Sequence, residues 1–77
     1  MATQTIRVTI TYNQDQHEAL DNALGKGGYS ASLKTVDFGV GYIEDDNTRE
    51  GRADISLILD ALMVAGIAFE VSLRGSV

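Results

Sequence analysis

YSASLKTVDFGVGYIE, residues 29–44, is the stretch on which the fold turns. Its apolar alternation begins on odd positions, Tyr29, Ala31 and Leu33, and finishes on even ones, Val36, Phe38, Val40 and Tyr42. The phase therefore slips near Lys34 and Thr35. A β-bulge inserts one residue and restores facing after such a slip, whereas a hairpin reversal favours Gly, Asn or Asp at its tip. Lys34-Thr35 is poor turn chemistry. Gly39 and Gly41 could mark a reversal, yet the even phase runs straight through them, which reads as bend or close-approach positions within a strand. One long bulged strand and two short ones both satisfy the pattern.

The flanks are plainer. Thr5 to Tyr12 alternates strictly, with Ile6, Val8, Ile10 and Tyr12 on one side and Thr5, Arg7, Thr9 and Thr11 on the other, the mark of a half-buried strand. Asn13 stands as a helix N-cap and Gln16 completes a capping box before the stripe Ala19, Leu20, Ala23 and Leu24. Gly25, with Gly27 and Gly28 beyond it, stops that helix. Glu44 to Arg52 reads as a polar, mobile loop leading into a second helix, Ala53 to Ala65. After Gly66, Phe69, Val71 and Leu73 alternate with Glu70, Ser72 and Arg74 in a last strand.

Residues 1–77 thus form one α+β domain, a two-layer sandwich of order β-α-(β)-β-α-β with both helices on one face of the sheet. Two central strands produce the ferredoxin-like plan; one produces a smaller three-stranded mixed sheet.

Composition narrows the function classes. At 44% hydrophobic and 22% charged, the chain falls outside the range of disordered sequences. A domain this short buries only roughly 60% of its unfolded surface, and with no cysteine and one histidine neither a disulfide nor a zinc site is available to reinforce it. Self-association remains, and a homo-oligomer, a dimer first, is expected. A net charge of -5 makes direct nucleic-acid binding unfavourable, since such binding neutralises phosphates with Lys and Arg. No stretch approaches a membrane span and the N-terminus lacks a signal-peptide pattern, so a cytoplasmic protein without membrane contact is expected.

Candidate sites are surface features. Gly25-Lys26-Gly27-Gly28 resembles a phosphate cradle in composition, but it closes a helix where a phosphate loop opens one. His17 lies in the first turn of helix one, facing solvent, with no partner to tune it and no second histidine for a metal site. No catalytic residues, cofactor or metal ligands are assigned. Glu44, Asp45 and Asp46, with Glu50, lack the spacing of a calcium loop and are instead a candidate partner-binding patch, since carboxylates in a loop steer a basic partner. Arg7, Lys34 and Arg74 fall on the open sheet face as possible anion contacts, whereas Tyr12, Phe38, Tyr42 and Phe69 take the inward phase. Stacking of bases on that face is thereby disfavoured.

Helix two carries more apolar surface than one sheet covers. Ile55, Ile58, Leu59 and Leu62 form the expected core stripe; Leu57, Ala61 and Val64 form a second one, a candidate oligomer seam. These features fit a non-catalytic protein-binding module, of the kind found among small acidic inhibitors carried by phages and other mobile elements. The alternatives are a regulatory domain enclosing a small molecule at an oligomer interface and a structural subunit of a larger assembly.

Overall fold

The computed structural model describes residues 4–29 and 32–75. Strand β1 (Thr5–Thr11) leads through a single 3-10 turn, Gln14–Gln16, into helix α1 (His17–Lys26). Strands β2 (Lys34–Asp37) and β3 (Val40–Asp46) form a hairpin, helix α2 spans Arg49–Ala65, and β4 (Ala68–Arg74) closes the chain. The four strands make one antiparallel sheet in the order β2-β3-β1-β4. The chain is therefore α+β, with four strands and two helices among the described residues, and the three-stranded mixed sheet is excluded.

The core forms where the alternation of β1 meets the two helix stripes. Ile6, Val8 and Ile10 from β1, Leu20, Ala23 and Leu24 from α1, and Ile55, Ile58 and Leu62 from α2 are buried together with Ile43 and Ile67. At each end of α1 the local chemistry was legible. The side chain of Gln16 accepts from the Asn13 N–H at 3.0 Å, and α1 stops in glycine. The helix runs one residue past Gly25, and the left-handed position is Gly28, with φ 79°.

The middle of the chain differs from the expected reading in three ways. First, the segment is two strands that reverse at Phe38-Gly39, and Gly39 adopts φ 76°, the conformation a tight turn demands. Gly39 is thus a turn residue, while Gly41 is the strand position, where Leu33 Cδ1 lies 3.0 Å from the point a Cβ would occupy. The expected slip is also present, as a register shift between Thr35 and Asp37.

Second, the facing of β3 is opposite to the even phase. Ile43 pairs with Val8 and is buried, so Gly41, Ile43 and Asp45 point toward the helices while Val40, Tyr42 and Glu44 face outward. Tyr42 is consequently on the open face and Phe38 is at the turn, 94% exposed. Tyr29 precedes β2 and is buried, Ser32 lies in a turn, and Ser30 and Ala31 lie outside the described residues.

Third, no polar loop extends from Glu44 to Arg52. Strand β3 continues to Asp46 and α2 begins at Arg49, so only Asn47 and Thr48 connect them. Thr48 caps the helix, its side chain accepting from the Gly51 N–H at 3.1 Å.

Candidate functional site

The reassigned facing redistributes the expected site residues. On the open face, Arg7 donates from Nε and Nη2 to one Glu44 carboxylate oxygen at 3.1 and 3.0 Å, and its guanidinium stacks on the Tyr42 ring 4.3 Å from the centroid. Lys34 Nζ approaches the same ring at 5.9 Å. The ladders define four cross-strand rows on this face; three contain one cation and one acid, Lys34 with Glu70, Arg7 with Glu44, and Arg74 with Asp46, and the fourth, Asp37-Val40-Thr11-Ala68, contains an acid alone. Arg7 and Lys34 therefore meet at Tyr42 while Arg74 stands apart beside Asp46, and the face carries four acids to three cations where an excess of cations was expected.

The acidic run is divided between two faces as well. Glu44 is occupied by Arg7, and Asp45 points inward to accept from the buried Tyr29 hydroxyl. Asp46 and Glu50 are exposed. Burial, then the hydrogen bond and the charges of Asp45 and Asp54, push the Tyr29 phenol well above the usual tyrosine range.

The unfolded phenol ionises near pH 10 while the folded one keeps its proton, so its contribution to stability is complete below that pH and is lost as pH rises above it. Stability is expected to fall about tenfold in folding constant per pH unit there. Denaturant titrations between roughly pH 9 and 11 check this, since Tyr29→Phe should remove that part of the slope. An unchanged slope would assign alkaline lability to other groups.

On α2, Leu57 is 54% and Val64 84% exposed, whereas Ala61 is partly covered against the core. The second stripe is thus uncovered at both ends. His17 is exposed, as expected, and its ring meets Tyr12 edge-on at 6.1 Å. Among the described residues no group of three or more metal-ligating side chains forms, and no helix is long and apolar enough to cross a membrane.

What the sequence reading missed is the end of the sheet beside His17. There the hairpin tip, the end of β1 and the 3-10 turn enclose an open recess of about 750 Å³ whose lining includes Tyr12, His17, Asp37, Phe38 and Val40. The tip is pinned in place. Tyr12 N–H donates to the Gly39 carbonyl at 2.9 Å, and the Asp37 carboxylate accepts from the Phe38 N–H at 2.7 Å. Val36 and Phe38 are both exposed on this hairpin. The signal available in sequence was Asp37-Phe38-Gly39, a glycine turn with an aromatic at its apex.

No family model, curated protein or solved structure matches the chain.

Proposed function

We propose that the chain is a non-catalytic protein-binding module that engages another protein through the tip of the β2–β3 hairpin. The observation carrying this reading is Phe38, 94% exposed on a tip held to the β1–α1 junction by the Tyr12 N–H to Gly39 carbonyl hydrogen bond. An aromatic carried on a pinned backbone can be buried by a partner with little loss of backbone freedom, and full burial of such a side chain is worth about 1.5–3 kcal/mol. Aromatic anchors beside a pocket are also where binding energy concentrates in protein interfaces. The net charge of -5 suits a basic partner, and an acidic inhibitor is the particular form this module would take. Of the acidic run, Asp46 and Glu50 are exposed to steer it, with Asp37 exposed at the tip, since Glu44 and Asp45 are held internally.

The test is affinity capture from host extract with the wild-type chain and with Phe38→Asp, quantified by mass spectrometry. A protein retained by the wild type and reduced more than tenfold by Phe38→Asp is expected. Equal retention would overturn the hairpin as the contact. A small molecule in the recess is the second reading, favoured by a volume within the usual range for ligand sites. A thermal-shift screen with nucleotides and amino acids distinguishes it, because only that reading expects stabilisation without a protein partner.

Self-association belongs to the same reading. Besides Val36 and Phe38 on the hairpin, uncovered apolar residues lie on two further surfaces, Leu57, Met63 and Val64 on α2 and Val71 and Leu73 on β4.

A further inference from the structure

The two edges of the sheet are treated differently. β2 is four residues long, begins with Lys34 and is broken by the register shift at Thr35/Asp37. Short, charged and bulged strands are how proteins keep an edge from pairing. β4 is neither short nor bulged, although it carries Glu70 and Arg74. It is seven residues long, pairs with β1 in unbroken register from Ala68 to Arg74, and contains no proline. Its other side offers a straight row of backbone donors and acceptors.

The side chains of β4 specify what fits there. Val71 and Leu73 pair with the buried Val8 and Ile6, so they face the helix layer, yet they remain 44% and 58% exposed. Glu70, Ser72 and Arg74 pair with Thr9, Arg7 and Thr5 and so stand on the open face. Among the described residues neither Glu70 nor Arg74 forms an ion pair.

From this we infer that β4 pairs antiparallel with β4 of a second copy of this chain, centred on Ser72, to make one continuous eight-stranded sheet. In that register Glu70 of one copy stands opposite Arg74 of the other, twice by symmetry, and Val71 stands opposite Leu73, also twice. Both faces are matched at once. Shifting the centre to Val71 sets Glu70 against Ser72, and shifting it to Glu70 sets the acid against itself, so charge selects one alignment. A two-fold axis normal to the sheet leaves all four helices on one face.

The α2 stripe lacks such complementarity. At about 100° per residue, Glu50, Asp54 and Asp60 border Leu57, Ala61 and Val64, with Arg49 the one base beside them. Two copies meeting there would bring together three acids and one base from each.

The test is the sedimentation mass of the free protein across its soluble range. The wild type is expected at twice the chain mass of 8.3 kDa. Arg74→Glu, which turns both cross-seam attractions into repulsions, should raise the dimer Kd about tenfold, and Glu70→Arg combined with Arg74→Glu should restore it. Val71→Lys, which drives a charge into the apolar half of the seam, should give a monomer with an unchanged far-ultraviolet spectrum. The charge swap reads the register without touching the apolar face, so it decides even if Val71→Lys does not fold. A monomeric wild type, a swap no tighter than Arg74→Glu alone, or dissociation by Leu57→Glu with Val64→Glu but by none of the β4 variants would overturn the seam.

Discussion

Gly51→Ala is expected to destabilise the fold by about 3 kcal/mol, the upper part of the range for overpacking. On an exposed helix the same substitution would stabilise by up to ~1 kcal/mol, because alanine is the better helix former. The sign is decided by the two-residue connection from β3 to α2. Asn47 and Thr48 turn the chain so tightly that Gly51, in the first turn of α2, lies buried against the end of β3. A Cβ there would collide with the Asp46 carbonyl oxygen and come within 3.2 Å of Thr48 Oγ1. A carbonyl oxygen in a strand cannot swing aside as a side-chain tip can, and Asp46 O is also the acceptor for Thr48 N–H at 2.8 Å. Relief would require moving the capping turn, at a further cost of ~1 kcal/mol if the Thr48 cap is lost. A domain of this length has only roughly 4–12 kcal/mol in total. Urea titration measures the effect, and a neutral or stabilising Gly51→Ala would refute the close approach.

The same glycine explains why the start of α2 was hard to read. Thr48-Arg49-Glu50-Gly51 contains a capping threonine, but glycine in the first turn looks like a breaker and an Asp- and Asn-rich stretch looks like a loop. Glycine was needed there for room, which is a tertiary requirement invisible to local propensity. β1 and the main stripe of α2 were legible because each buries one side in simple alternation or helical period, and β4 because its side chains alternate apolar and polar even though Val71 and Leu73 stay exposed. β3 was not, because two of its three inward residues are not hydrophobic. Gly41 is inward to make room for Leu33, and Asp45 is inward to receive the Tyr29 hydroxyl. Only Ile43 marks the buried face, while Val40 and Tyr42 imitate one on the outside. Arg7 stacks on Tyr42, which lets an aromatic stand on the open face with part of its surface covered.

That single inversion also redirected the reading of the sites. With Glu44 brought outward beside Arg7, a presumed docking acid and a presumed anion contact satisfy one another. The acidic run divides by alternation, a consequence of its lying in a strand rather than a loop. The α2 stripe was legible as excess apolar surface, but periodicity alone could not rank it against β4. Ranking needed the sheet order, which reveals that β4 is an edge.

Ile58→Ala is expected to be the most damaging substitution in the helix layer, at about 2–5 kcal/mol, because Ile58 is completely buried between α1, α2 and the sheet. Its partner on α1 is backbone. Gly27, the residue ending α1, adopts φ -103°, which any residue tolerates, so its need for glycine is spatial. A Cβ at Gly27 would stand 2.9 Å from both Cδ1 and Cγ1 of Ile58 and 3.0 Å from the Asp54 carbonyl oxygen. Gly27→Ala alone should therefore cost about 1–3 kcal/mol through overpacking. The pair should not be additive. Ile58→Ala removes two of the three obstructing atoms and opens a cavity that the methyl introduced by Gly27→Ala enters, so the double variant should be more stable than the sum of the singles by roughly 1–2 kcal/mol. Residual cost in the double variant falls on the fixed Asp54 carbonyl. Three urea titrations against the wild type complete the cycle. Additivity would mean that the helices separate to accept the methyl, and the contact would then be loose. Coupling of the expected sign makes Gly25 to Gly28 a helix-packing device, with Gly27 supplying the approach and Gly28 the left-handed exit, and so removes the last reason to read that glycine cluster as an anion cradle.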